Sequence, residues 1–260
     1  MIKRLLVAAL YHCGVDLLVA DRKRRHGPLL CVLSGHRLID EQRAEKIEDV
    51  RDLRRGCLTL SAFRRAVGYL RRHYRIVSLD EALKAGQGLP ARAVVLTFDD
   101  AYKDVATHAW PMLSGAGIPF TVFQTTSYLG LNPRMLDRED VERMKEDPLI
   151  TWGSHGVTHG HLTEMADAEL DRQLVESKAT LERLVERPVQ YLCYPDGKVD
   201  TRVVARARAA GYKAACATGR RLNRVPFNPF QIQRIPFENE PLPRFAFRLA
   251  GRNSGNRQLT

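Results

Sequence analysis

Short apolar runs alternate with helical segments along most of this 260-residue chain. Because strands that alternate with helices favour a parallel sheet covered by helices, the order predicts an α/β fold. Seven or eight strands in one domain favour a distorted (β/α)7-type barrel over the alternative, an open doubly wound sheet. Strands are predicted over residues 29–33, 75–79, 93–98, 119–123, 149–153, 189–194, 213–217 and 231–235. Helices are predicted over 61–72 with Ser61 as the cap, over a short stretch capped by Asp80, and over 105–113, 138–145, 167–185 and 201–210.

Three segments are predicted: an N-terminal amphipathic and basic segment over 1–28, a barrel domain over 29–250 and a polar tail over 251–260. The N-terminal apolar runs are shorter than the ~18 residues that a transmembrane helix needs. The segment is therefore expected to lie on a membrane surface or to pack on the domain. Residues 37–57 are highly charged and are expected to be irregular.

The net charge of +11 favours anionic surfaces, although a solvated basic surface gives the same number. The partners predicted from charge are thus an anionic membrane, touched peripherally through the basic N-terminus, or an acidic glycan; without a nucleic-acid module, no nucleic acid is expected. The five cysteines are scattered without a CxxC spacing, which is typical of buried thiols in a reducing compartment. We expect a cytoplasmic protein, with membrane association as the option.

Two adjacent carboxylates, Asp99 and Asp100, follow the apolar run at 93–98. In a parallel β/α fold the active site gathers at the carboxyl ends of the strands. Neighbouring carboxylates repel unless a cation or proton lies between them, so one is a candidate metal ligand and the other a candidate base. The chain must bend here for both to converge, because strand neighbours point to opposite faces. The alternative is that the pair caps the next helix.

A second polar cluster, His155 and His159, follows another short apolar strand. Histidines four apart on a helical turn face the same way and can hold one metal ion, although many such pairs are incidental. Their position at a strand end, like that of the Asp pair, favours a hydrolytic metal centre. A third strand ends in Tyr194-Pro195-Asp196-Gly197, a turn sequence that could direct a backbone N–H at a developing oxyanion.

The order Thr-Phe-Asp-Asp (97–100), Ser-His-Gly-Val-Thr-His (154–159) and Tyr-Pro-Asp-Gly (194–197) resembles the polysaccharide deacetylases with NodB homology, carbohydrate esterase family four. The resemblance runs from about residue 29 to 235 and includes Gly211-Tyr212 and Arg234-Ile235-Pro236. It implies the NodB-homology deacetylase fold and a divalent metal, most often Zn²⁺ with Co²⁺, Ni²⁺ or Mn²⁺ as options. The implied metal ligands are Asp100, His155 and His159.

The resemblance further implies that Asp99 is the general base, so that the metal and Asp99 together activate the attacking water, and that the Tyr194 backbone N–H stabilises the oxyanion. Tyr194, Pro195, Asp196, Gly197 and Trp152 are the expected substrate-binding residues, and Tyr102 and Tyr128 could line a groove with Trp152. The general acid is expected to be His36, after the first strand, an order that resembles the circularly permuted branch with poly-N-acetylglucosamine deacetylases. A surface-loop histidine is the alternative for His36.

Two features depart from the family pattern. No Arg that could pair with the base is apparent near Gln190, and Ala101 stands where the family usually has Gly. His161 is expected to buttress the site without binding metal. The leading hypothesis is a metal-dependent enzyme that removes N-acetyl groups from amino sugars of an N-acetylated glycan or glycolipid. The alternatives are a non-catalytic glycan-binding protein of the same fold and a metal hydrolase of another amide, such as a formyl group.

Overall fold

The structure is a computed structural model, and it describes residues 2–41 and 57–251. Its strands are β1 Leu29–Gly35, β2 Arg37–Ile39, β3 Cys57–Thr59, β4 Arg75–Ile76, β5 Ala93–Phe98, β6 Phe120–Gln124, β7 Ile150–Ser154, β8 Tyr191–Cys193, β9 Ala214–Cys216, β10 Asn223–Arg224 and β11 Ile235–Pro236. Its helices are α1 Ile2–His12, α2 Val15–Arg24, α3 Leu60–His73, α4 Leu79–Ala85, α5 Trp110–Ser114, α6 Arg138–Met144, α7 Asp167–Val185, α8 Thr201–Ala209 and α9 Leu242–Leu249.

The main sheet is parallel in the order β1-β5-β6-β7-β8-β9, with β4 beside β5 and β10 antiparallel to β1. The segment that ends in β11 pairs with β1 and β9, the first and last strands in this order. Ile235 pairs with Leu33 of β1, and Ile232 forms a parallel bridge with Cys216 of β9. The sheet therefore curls in the way the predicted barrel requires, and the α/β fold prediction is confirmed.

Alternate residues of the strands supply two separate cores, one inside the curled sheet and one between the sheet and the helices. In β5, Val94 and Leu96 belong to the outer core, whereas Val95 belongs to the inner core with Val32 and Phe123. Because side chains alternate along a strand, Asp99 continues the inward row of β5. A residue that continues the inward-facing row of a strand can thus reach the interior of the curled sheet.

Helix starts differ slightly from the sequence expectations. Thr59, not Ser61, caps α3 by accepting a hydrogen bond from the Ala62 N–H, and Ser78, not Asp80, caps α4 in a capping box with Glu81. Each actual cap lies two residues before the expected one, at a residue with extended backbone angles that frees its side-chain oxygen to face the first turn. Over 105–113 the chain forms a π-helical stretch, Val105–Ala109, before α5.

The N-terminal segment forms two helices that pack on the domain. Gly14, with φ of +69°, separates α1 from α2, and α1 contacts α9. Asp16 is buried and accepts a hydrogen bond from the Tyr69 hydroxyl of α3. None of the helices that the structure describes has the length and apolar character to cross a bilayer.

The charged stretch expected to be irregular begins and ends in short strands, since β2 and β3 pair in parallel. Its residues 42–56 lie outside the described residues, and so do residues 252–260 of the expected polar tail. Of the five cysteines, Cys31, Cys57, Cys193 and Cys216 are buried, as expected, whereas Cys13 is exposed.

Candidate metal centre and active site

The carboxylate pair follows β5 through a backbone bend. The Asp99 N–H still donates to the Gly35 carbonyl at 2.9 Å, as a strand residue would. Asp100 and Ala101 then adopt φ of +65° and +57°, which turns the Asp100 side chain toward the same cavity as Asp99. The predicted bend is confirmed. The left-handed angle at Ala101 gives a physical reason for the family's preference for Gly there.

Asp100 meets both histidines at the carboxyl end of the sheet. Its Oδ1 lies 3.5 Å from His155 Nε2 and 3.4 Å from His159 Nε2, and the three ligand atoms all lie within 4.8 Å of one another. Asp100 Oδ1 is buried and has no hydrogen-bond partner among the residues that the structure describes. A buried, unpaired carboxylate oxygen facing two imidazole nitrogens fits a divalent cation.

The imidazole of His155 is oriented by a backbone carbonyl. Its Nδ1 lies 2.7 Å from the Cys193 oxygen, so Nδ1–H donates there and the Nε2 lone pair faces Asp100. The His159 ring stacks beside Tyr128, with centroids 6.2 Å apart and an interplanar angle of 19°. Both rings are thus held in the orientation that a metal ligand needs.

Burial shifts the protonation of the candidate ligands. Desolvation raises the pKa of Asp100 to about 6, with Asp99 and Asp196 adding to the rise. Desolvation also lowers the pKa of His155 to about 4, which keeps the imidazole neutral and able to bind a metal at neutral pH.

Asp99, His155 and Cys193 form a second group with ligand atoms close enough to share an ion. However, the Arg234 guanidinium contacts both Asp99 and the Cys193 sulfur, at 2.8 and 3.0 Å. A cation there would meet a buried positive charge, and burial raises the pKa of the Cys193 thiol well above its usual value. The group of Asp100, His155 and His159 is therefore the better metal site.

Arg234 is the functional residue that sequence reasoning missed. It precedes β11, is 4% exposed, and forms a bidentate ion pair with Asp99 at 2.7 and 2.8 Å. Burial alone would raise the pKa of Asp99, but Arg234, with His155 and His36, holds it well below its usual value. The family pattern places the Arg that pairs with the base near Gln190. In this chain Arg234 takes that place. An Arg within a predicted strand was the available signal.

His36 follows β1 and faces the base. Its Nε2 lies 3.8 Å from Asp99 Oδ2, and its buried Nδ1 has no hydrogen-bond partner among the described residues. The side chain is 29% exposed and lines the same cavity as Asp99 and Asp100. The structure therefore places His36 at the centre and not on a remote surface loop.

The Tyr194 backbone is already engaged, which revises its expected role. Its N–H donates to the Cys216 carbonyl at 3.0 Å, and its hydroxyl donates to the Phe230 carbonyl at 3.1 Å. Tyr194 borders the cavity but is fully buried, so its N–H cannot serve an oxyanion unless it leaves the Cys216 carbonyl. Sequence spacing could not show this because the bond depends on the pairing of β8 with β9.

The turn after β8 presents Asp196 to the cavity and hides Pro195. Asp196 and Gly197 have φ of +53° and +68° and line the cavity, whereas Pro195 is buried and does not. The Asp196 carboxylate accepts a hydrogen bond from His161 Nε2 at 2.7 Å, and Lys198 Nζ and Glu164 flank His161 Nδ1 at 2.8 and 3.0 Å. This places His161 as a support of the site, as predicted, and outside the metal ligand group.

Trp152 does not reach the cavity, so its expected contact with substrate is not supported. It is 4% exposed and belongs to the outer core, because its parity along β7 is opposite to that of Gly153 and His155. Tyr102 and Tyr128 do line the cavity, which has a volume of about 570 Å³. The aromatic side chains that line the groove are therefore those of Tyr102 and Tyr128.

The curled parallel sheet and the Asp-His-His cluster beside a second Asp define an α/β protein with a candidate metal site of the kind that hydrolases use. A family model described as polysaccharide deacetylase matches residues 86–215, which is half of the 260-residue chain. The matched stretch contains Asp99, Asp100, both candidate histidine ligands and the 194–197 turn. The chain belongs to the polysaccharide deacetylase family, and the resemblance seen in its motifs is confirmed.

Two relatives match part of the chain in sequence. YxkH of Bacillus subtilis, named for the same family, is 24% identical over 127 residues, which are 49% of this chain and 45% of that protein. The poly-β-1,6-N-acetyl-D-glucosamine N-deacetylase of Escherichia coli is 34% identical over 102 residues, 38% of this chain and 14% of that protein. The matched region is thus less than half of each relative.

Solved structures share the fold over most of the chain. The Streptococcus pyogenes deacetylase PplD, solved with acetate, has a TM-score of 0.75 at 18% identity and covers 86% of this chain and 99% of its own. IcaB from Ammonifex degensii has a TM-score of 0.68 at 22% identity, with 86% and 98% covered. These likenesses support the fold.

Proposed function

We propose that this protein is a metal-dependent N-deacetylase that hydrolyses the acetamide of N-acetylated amino sugars in a polysaccharide. The observation that carries the proposal is the convergence of Asp100, His155 and His159 beside an ionised Asp99 in one open cavity. Membership of the polysaccharide deacetylase family supports the substrate class. The Escherichia coli relative makes β-1,6-linked N-acetylglucosamine the first polymer to assay.

Asp100, His155 and His159 would hold the cation, and nitrogen and oxygen ligands of this kind suit Zn²⁺ or a neighbouring divalent ion. When bound, such an ion polarises a carbonyl and lowers the pKa of water. Asp99 is the acceptor for the proton of the attacking water, since Arg234 holds its carboxylate ionised and fixes its orientation. Arg234 is 4% exposed, and its guanidinium is engaged by Asp99, Thr97, Cys193 and the Ala217 carbonyl.

His36 is the proposed donor of a proton to the leaving sugar amine. It stands beside Asp99 at 3.8 Å, a separation that leaves both groups directed into the cavity without bonding each other. One proton thus passes from water to Asp99 and another from His36 to the amine, and the products are acetate and the free amino sugar.

The proposal is tested by acetate release from β-1,6- and β-1,4-linked N-acetylglucosamine oligomers. We expect release by the Zn²⁺- or Co²⁺-loaded protein, loss with a chelator, and a loss of at least ~10²-fold in Asp99→Asn and His36→Ala, the size typical of general acid–base catalysis. Absence of release from a protein that binds one equivalent of metal would favour the non-catalytic, glycan-binding alternative. Release of formate from N-formyl oligomers, without release of acetate from the matching N-acetyl oligomers, would favour the alternative of a hydrolase that acts on a formyl group.

A further inference from the structure

Three of the five exposed large apolar side chains among the described residues lie on the helical pair α1–α2. Leu5, Leu6 and Leu18 are 64%, 57% and 67% exposed. Across residues 5–41 and 57–251, whose side chains the structure describes, the other two are Leu131 and Val175. On α1 the exposed residues at 5, 6, 9 and 12 recur at helical spacing and so form one stripe.

The segment that carries these leucines is positively charged, and its acids are engaged. Residues 1–28 contain six Lys or Arg and two Asp. Asp16 is buried against Tyr69, and Asp21 forms an ion pair with Arg92. Arg22 in α2 and Arg25 just after it are exposed, at helical spacing from Leu18. The exposed surface of the pair therefore combines leucines with an excess of positive charge.

We propose that the α1–α2 pair docks this protein on an anionic lipid bilayer surface, with Leu5, Leu6 and Leu18 in the headgroup region. An apolar stripe with basic neighbours is the pattern by which interfacial helices bind such surfaces. Exposed leucines alone would fit a protein partner equally, and the excess of positive charge is what selects an anionic lipid surface. The proposal does not depend on the catalytic activity.

The C-terminal end of α2 lies at the end of the sheet opposite the candidate active site. It adjoins the start of β1, where Arg224 donates to the His26 carbonyl at 2.8 Å and pairs with Leu29. His36, Asp99 and His155 all follow the carboxyl ends of their strands. A strand of seven residues such as β1 spans ~23 Å, which separates the basic end of α2 from the cavity. Contact of this end of α2 with a bilayer would therefore leave the cavity free to bind a polymer.

The test is co-sedimentation of the full 260-residue chain with vesicles of phosphatidylglycerol and phosphatidylcholine, or of phosphatidylcholine alone. We expect binding to the anionic vesicles that weakens as salt rises, and little binding to the neutral ones. The triple variant Leu5→Gln, Leu6→Gln, Leu18→Gln should bind at least tenfold more weakly. Leu131→Gln, with an equally exposed leucine elsewhere, is the matched control and should bind as the parent does.

Equal binding by the triple variant and the parent would overturn the proposal, as would equal binding to neutral and anionic vesicles. A third contrary outcome is a concentration-dependent dimer in light scattering that the triple variant abolishes without any vesicle binding, since the leucines would then contact a second copy. Circular dichroism melting of each variant verifies its folding, and acetate release should be the same in the triple variant and the parent. Activity without vesicle binding would refute the docking and leave the proposed function intact.

Discussion

The ion pair between Arg234 and Asp99 is the residue-level feature on which the site depends most. Both side chains are at most 4% exposed, so removing one leaves a buried charge without a partner. Arg234→Met is expected to lower the free energy of unfolding by ~3–5 kcal/mol, the usual cost of breaking a buried pair. Urea unfolding measures the change, and Arg64→Met, which alters an exposed arginine, is the control.

The same variant has a defined pH dependence. Because the pKa of Asp99 is lowered in the folded protein, its contribution is present above the unfolded pKa of ~3.9 and is lost as pH falls below it. In Arg234→Met the pKa of Asp99 rises, so protonation relieves the unpaired charge. The variant should therefore be closer to the parent in stability at pH 5 than at pH 8. A difference independent of pH would contradict the assigned role of the pair.

The raised pKa of Asp100 leads to a prediction of how metal affinity depends on pH. Its pKa is raised to about 6 mainly by burial, so a proton competes with the cation below that pH. Metal affinity should rise between pH 5 and 7, and binding at pH 5 should release at least about one proton, from Asp100. Calorimetry in buffers of different ionisation enthalpy measures the release. Zero release at pH 5 would show that Asp100 is already ionised or is not a ligand.

His161 is predicted to position Asp196 for substrate. Its Nε2 donates to that carboxylate at 2.7 Å without touching the metal ligands. His161→Ala should raise KM about three- to tenfold with kcat nearly unchanged, in line with the loss of one charge-assisted hydrogen bond. His161→Gln retains a side-chain N–H donor and should recover most of the loss. A fall in kcat alone would place His161 in the chemistry instead.

The motif residues were predictable from sequence because each cluster is local. Asp99 with Asp100, and His155 with His159, lie side by side in the chain after recognisable strands. Arg234 was not predictable because it is 135 residues from Asp99 and pairs with it only through the curl of the sheet. Trp152 was misplaced for a related reason. A strand buried on both faces does not reveal in its sequence which parity faces the inner core.

At the level of elements, the turn after β8 depends on a glycine. Gly197 has φ of +68°, and a Cβ there would lie 2.4 Å from the Thr218 nitrogen. Gly197→Ala should therefore displace the turn that carries Asp196, lower the free energy of unfolding by at least ~1 kcal/mol and reduce acetate release. Gly130→Ala is the control, since its φ is +69° but nothing lies within 4 Å of the added Cβ.

If both glycine variants lose the same stability and Gly197→Ala keeps full activity, the close approach to Thr218 is irrelevant to the site.

The order of strands and helices was predicted well because periodicity identifies buried elements. The ends of the elements were less predictable. Of the predicted strand 231–235, the structure has only Ile235, where β11 begins, and an isolated bridge at Ile232.

At the level of the whole molecule, the curl of the sheet brings together groups from both ends of the chain. His36 after β1 and Arg234 before β11 both reach Asp99 because β11 pairs with β1. An acid encoded before the carboxylate pair can therefore occupy the same cavity as the metal ligands. This arrangement agrees with the circularly permuted order suggested by the motifs, in which position along the chain matters less than position around the sheet.

The central claim is that Asp100, His155 and His159 share one divalent cation beside Asp99. Anomalous diffraction from crystals grown with Zn²⁺ tests it most directly. The account predicts one dominant peak within ~2.0–2.2 Å of Asp100 Oδ1, His155 Nε2 and His159 Nε2. A peak bound instead through Cys193, or no peak in this cavity at saturating Zn²⁺, would contradict it.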